Sequence, residues 1–243
     1  MEKYLQLKTL INITLFTEII PLIFCVFFYK KLNTKSLKVF FIYSITQVIF
    51  ISLCSYSIYV LNLYTLYILI LRLHLLFEYS LITIFLYFII NSKNGKIILK
   101  LLYPFFFVYN IFDYLKNGNS VFGDIPTIFE FLLFIIFIII YFFESMQTQI
   151  EQPIYKNIIF WICVGLFVYF SGNFFYIVLV ENSKNANEFV RNQLKIVYSV
   201  VSIIKNLILG FAILNYNISE TNTTNPFPQD LDLDAITPNK KIS

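Results

Sequence analysis

Three glutamates, Glu18, Glu78 and Glu130, lie inside apolar runs long enough to cross a bilayer. A charged carboxylate at the bilayer centre costs about 3 kcal/mol or more. Each therefore needs a partner, a proton or a water-filled cavity. Other polar residues occur at similar depth: Arg72 and His74 beside Glu78, Asn173 in the run Ser171-Gly172-Asn173, and Lys205 next to Asn206. These residue types exchange protons, form ion pairs and hold small polar ligands. Together Glu18, Arg72, His74, Glu78, Glu130, Asn173 and Lys205 form the candidate ligand-binding or proton-sensing set.

The spacing narrows their relations. His74 and Glu78 are four residues apart and share a helix face, whereas Arg72 and Glu78 are six apart and do not. A helix rises about 1.5 Å per residue. On that scale Glu78 and Lys205 both fall near the midplane, which makes Lys205 an expected interhelical partner for Glu78. Glu18 falls about 15 Å and Glu130 about 9 Å below the outer surface. Most of the charge is thus at or outside the midplane, and the expectation is a polar pocket open to the outside. Two plainer readings stand beside it. In one, a buried ion pair serves only to fix helix register; in the other, Glu130 snorkels to the interface. Pro21, three residues after Glu18, removes a backbone donor and is expected to kink the first helix beside the carboxylate.

These residues must be positioned by membrane helices. Of 243 residues, 58% are hydrophobic and 13% charged, against about 25% charged in a soluble domain. The apolar runs recur along the whole length, so the fold class is all-α membrane protein with seven transmembrane helices. The expected spans are 9–29, 38–58, 65–90, 97–113, 125–143, 158–180 and 193–215. The fourth is weakest, because it holds Pro104, Asn110 and Asp113, with Lys100 at its start. Residues 1–216 form the seven-helix domain. Residues 217–243, with three prolines and an acidic patch at Asp230, Asp232 and Asp234, read as a disordered polar cytoplasmic tail.

Lys and Arg set the orientation. With the N-terminus outside, the inner segments carry Lys30, Lys31, Lys35, Lys38, Lys93, Lys96, Lys100, Lys156, Lys240 and Lys241. The outer segments carry only Lys3, Lys8, Lys116, Lys184 and Arg191. The topology is N-out and C-in, in the plasma (inner) membrane. Glu18 and Pro21 interrupt the first run and no small-residue cleavage site follows, so it reads as a retained helix rather than a signal peptide. Cys25, Cys54 and Cys163 all lie in apolar segments and read as small buried hydrophobes.

An internal repeat is also visible. Arg72, Leu75, Tyr79 and Ser80 of the third span match Arg191, Leu194, Tyr198 and Ser199 near the seventh. Glu18 precedes Tyr29 as Glu130 precedes Tyr141 in the first and fifth spans. The pattern suits a 3+1+3 arrangement, two parallel three-helix units joined by the fourth helix, as in some transporters.

One histidine and scattered cysteines argue against a zinc hydrolase. No phosphate-binding G-x-x-x-x-G-K-[ST] loop is present, and no serine or cysteine stands in a known relation to a histidine base. The chain reads as a non-enzyme without cofactor or metal, and its net charge of +4 reflects loop topology rather than nucleic-acid binding. Lys205 on a seventh helix also invites a retinal reading, although Val201 stands one turn earlier where such proteins carry an acid.

The run from Phe160 to Phe175 (FWICVGLFVYFSGNFF), the lysine-rich first inner loop and Ile203-Ile204-Lys205-Asn206 resemble a family of uncharacterised bacterial seven-helix integral membrane proteins. The resemblance implies membrane location and an association with signalling; it supplies no ligand. The expected function is a sensor or receptor-like protein that binds a small ligand or protons and signals through a cytoplasmic partner. The alternative is a small transporter or proton-coupled permease. The topology has a direct test. Alkaline phosphatase fused near Asn62 should be active, and the same enzyme fused near Thr34 inactive; the reverse pattern would invert the chain in the membrane.

Overall fold

The computed structural model describes residues 13–118, 124–148, 154–182 and 188–223. Among them there are seven α-helices, two single-turn 3-10 helices (Tyr29–Lys31 and Ile154–Lys156) and no strand. Six are long and apolar enough to cross a membrane and one is shorter. They are α1 (Ile13–Phe27), α2 (Lys35–Tyr59), α3 (Tyr64–Ile89), α4 (Lys93–Asn117), α5 (Asp124–Thr148), α6 (Ile158–Asn182) and α7 (Glu188–Thr223). The protein is thus an all-helical, multi-pass membrane protein in its architecture. The helix of α7 continues into the segment expected to be a disordered tail, as far as Thr223, and residues 224–243 lie outside the described part.

The helix boundaries follow from local chemistry. Thr34 caps α2 by accepting the Leu37 N–H at 3.4 Å, and Ser92 caps α4 by accepting the Gly95 N–H at 3.1 Å. Asn157 accepts the Ile159 N–H at 2.9 Å at the start of α6. The fourth span is a complete helix despite Pro104. Its flank is supported from α3, where the Tyr79 hydroxyl donates to the Leu102 carbonyl at 3.2 Å and the Tyr79 ring stacks on Phe106 with centroids 3.7 Å apart. Helix α1 behaves as Pro21 requires: the helix is interrupted by a turn at Glu18 and resumes at Ile19.

Successive helices pack side by side, and α1 packs against both α2 and α7. Helix α3 also packs against α5. Six helices therefore close a ring in the order α1, α2, α3, α5, α6, α7, while α4 lies outside it against α3 and α5. The ring interior is filled with aromatic side chains. Phe134 is central: it lies 5.4 Å from Tyr79 on α3 and 4.9 Å from Phe170 on α6.

The α6–α7 contact depends on a glycine. A Cβ at Gly172 would sit 2.7 Å from both γ-methyls of Val201. Valine has little freedom at χ1, so the helices would have to part. Gly172→Ala should destabilise the protein by about 1–3 kcal/mol. Thermal unfolding in detergent would show this as a lowered midpoint, largely restored when Val201→Ala is added. An unchanged midpoint for Gly172→Ala would refute this packing.

Candidate functional site

The interruption of α1 delivers Glu18 to the ring interior. Lys205 on α7 meets it there: its Nζ donates to both Glu18 carboxylate oxygens at 3.0 Å. The ammonium also lies 4.5 Å from the centroid of the Tyr169 ring on α6, a cation–π contact that adds to the pair. Lys205 is 1% exposed and Glu18 7%. One residue along, the Asn206 amide donates to the Thr17 hydroxyl at 3.2 Å, and that hydroxyl donates to the Thr14 carbonyl at 2.8 Å. Asn206 thus ties α7 to the Thr17 side chain beside the interruption of α1.

Glu78 forms the second centre. It lies buried on α3 and accepts from the Tyr43 hydroxyl at 3.3 Å and from the Gln47 amide at 3.1 Å, both on α2. The Gln47 amide oxygen lies 3.0 Å from His74 Nε2. His74, Gln47 and Glu78 therefore make one chain, in which Gln47 bridges the two α3 groups. The expected Glu78–Lys205 pair is corrected: Lys205 is taken by Glu18, and Glu78 is held by neutral donors. The expected His74–Glu78 proximity is realised through Gln47.

Arg72 does not join this core. Its guanidinium donates to Asp113 on α4 at 2.7 Å and to the Gly118 carbonyl at 3.2 Å, with the Tyr114 ring 5.6 Å away. Gly118 ends α4 with φ +59°, a conformation that favours glycine. Arg72 clamps the end of α4 to α3. The single outward pocket shared by Arg72 and the three glutamates is therefore corrected to a polar core plus a separate clamp. The charge on Arg72 has a compensating carboxylate close by, which the depth argument could not assign.

Glu130 is fully buried, so it does not snorkel. Neither of its carboxyl oxygens has a hydrogen-bond partner among the described residues, and the Asn173 amide is in the same condition. Phe131 of α5 lies 5.5 Å from Phe170 of α6. Glu130 and Asn173 are thus at about the same level on facing helices. Ser202, one turn before Lys205, is also buried without a hydrogen-bond partner among the described residues. A charged carboxylate in apolar packing is costly unless it is paired or hydrogen-bonded, and among the described residues Glu130 has neither form of support.

A groove of about 410 Å³ reaches Glu18 between α1 and α2, with Leu15, Ile19, Val48, Ile51 and Ser55 among its walls. It lies in the half of α2 nearer Tyr59, the end expected to face outward. Three contributors were hard to single out in advance. Tyr43 and Tyr169 are two of 18 tyrosines, and the only available clue to Gln47 is that it is one glutamine in an otherwise apolar span. No family model, no curated protein and no solved structure matches this chain.

Two outcomes follow. Removing one partner of a buried pair leaves the other charge uncompensated, at a cost of about 3–5 kcal/mol. Glu18→Gln and Lys205→Met should each lower the unfolding midpoint strongly, and the double variant should recover most of the loss. Additive losses would mean that the two side chains do not pair. Glu130→Gln, which keeps the shape without the possibility of charge, should leave the midpoint unchanged or raised, whereas Glu130→Lys should depress it.

Proposed function

We propose that the protein is a membrane-embedded sensor whose polar core takes up a proton or a small polar ligand and passes the change to its basic end. The observation that carries this reading is the convergence of Glu18, Lys205, Glu78, Gln47 and Tyr43 from four helices on one buried core, beside a groove that reaches Glu18. A register-fixing role needs one satisfied ion pair. This core also holds a second carboxyl group with neutral donors and a third with no partner among the described residues. Such groups change their bonding when they gain or lose a proton, and Glu18 cannot change without releasing Lys205. In the N-out, C-in orientation the groove opens toward the outside, and the lysine-rich end of the bundle faces a cytoplasmic signalling partner.

A permease is the second reading, and the ring favours it in one respect. Helix α4 stands outside, while α3 abuts α5 as α7 abuts α1. That is the neighbour pattern two parallel three-helix units would have.

The chain carries its own reporter. Trp161, the single tryptophan, donates to the Tyr155 carbonyl at 2.7 Å and stands edge-on to Phe211 of α7 at 5.4 Å. Phe211 is six residues beyond Lys205 on the same helix. In liposomes, Trp161 emission should respond to acidification in the wild-type protein. The response should be diminished in Glu78→Gln and absent in Glu18→Gln/Lys205→Met. A pH-sensitive dye inside the same liposomes should register no proton flux. An emission unaffected by pH and by polar solutes would contradict the sensor, and sustained flux would favour the permease.

A further inference from the structure

A second site lies on the other side of the polar core from the Glu18 groove, toward the basic end of the bundle. Helix α4 begins with Lys93, Lys96 and Lys100 within its first turns and no acidic residue in the first turn. Cations are disfavoured there, because the N-terminal end of a helix is its positive pole. Lys96 and Lys100 are also four residues apart, where like charges repel. Yet both turn toward one ring: their ammonium nitrogens lie 5.5 Å and 5.2 Å from the centroid of Tyr87 on α3. No carboxylate among the described residues forms an ion pair with either. Glu144 of α5, at this helix start, accepts from the Asn91 and Ser92 N–H groups at 2.6 Å and 3.2 Å.

Below the two ammonium groups runs a groove of about 360 Å³ between α3 and α4, walled by Thr83, Ile84, Tyr87, Leu99, Lys100 and Tyr103. Its walls are mainly apolar. The Thr83 side chain is buried there, close to the Tyr79 hydroxyl. Ile84 and Lys100 are exposed on its flanks, so the groove opens sideways from the bundle, where the bilayer would lie. Lys35 stands nearby in the chain's packing, 6.0 Å from the ring of Phe88, and extends the positive region onto α2.

We propose that this groove holds an anionic phospholipid, with its phosphate between Lys96 and Lys100 and an acyl chain lying along Ile84 and Leu99. The phosphate offsets the repulsion between the two lysines and the helix pole beneath them. The acyl chain fills an apolar slot that no side chain among the described residues occupies. Thr83 and Tyr87 supply hydroxyls at the boundary between the two. A basic pocket between membrane helices is suited to anionic headgroups, and the net negative charge distinguishes this ligand from a zwitterionic phospholipid of the same chains.

The full-length protein, purified in detergent, can be mixed with equal amounts of phosphatidylglycerol and phosphatidylcholine of identical chains, and the retained lipid counted by native mass spectrometry. Phosphatidylglycerol should be retained in preference. Lys96→Gln/Lys100→Gln should weaken that retention by about 25-fold, since each lysine near an anionic lipid surface is worth about a fivefold effect. Lys116→Gln, at the exposed far end of the same helix, should retain it in full and guards against a general charge effect. Equal retention of the two lipids, or unchanged retention in the double variant, would overturn the proposal. Displacement of the lipid by excess inorganic phosphate would also overturn it, because the site would then recognise the free anion and not the lipid.

Discussion

The rest of the structure depends on the ion pair between Glu18 and Lys205. In its described part helix α1 is shorter than the other six and is interrupted by a turn at Glu18, which leaves a carboxylate in the middle of an apolar bundle. Alone, that segment would be a poor membrane element. Lys205 neutralises the carboxylate, Tyr169 covers the ammonium, and the Asn206–Thr17 bond ties up the polar edge of the break. Together these contacts close the ring between its first and last helices. A buried pair of this kind is weak evidence for net stability, because desolvation offsets much of the attraction. Its physical consequence is specificity: α1 has one register against α7, and neither partner can change charge without cost to the other.

The remaining carboxyl groups are held on a graded scale. Glu18 has a full cation. Glu78 has two neutral donors, and Glu130 has none among the described residues. Three acids in one bundle with three different degrees of compensation respond differently to the same change in conditions. Arg72 and Asp113, by contrast, form a closed pair at the end of α4 and serve to fasten the peripheral helix. The two ends of the bundle also differ in kind. The Glu18 groove lies on one side of the polar core, and the lysine cluster with its slot beside Tyr87 lies at the other end.

Much of this was legible in the sequence. The helical spans follow from the length of the apolar runs, and the break in α1 from the spacing of Glu18 and Pro21. The fourth span looked weak because Pro104, Asn110 and Asp113 lower its apolar character; in the structure each has a place. Asp113 meets Arg72, and Asn110 donates to the Phe106 carbonyl one turn back at 3.0 Å. What could not be read was pairing between helices. Depth alone made Lys205 a candidate for Glu78 and for any acid at that level, and only the closure of the ring through α1 and α7 chooses Glu18. Burial of Glu130 was equally hidden, because a residue near the end of a span can face lipid, interface or core with the same sequence.

The central claim is that the occupancy and charge of this core set the arrangement of the helices around it. It can be tested by placing spin labels at Phe27 on α1 and Phe143 on α5, both exposed, after replacing the three cysteines, and measuring their separation in liposomes by pulsed dipolar spectroscopy. The distance distribution should differ between neutral and acidic buffer, and the difference should vanish in Glu18→Gln/Lys205→Met. One distribution at both conditions, or the same change in the double variant, would contradict the account.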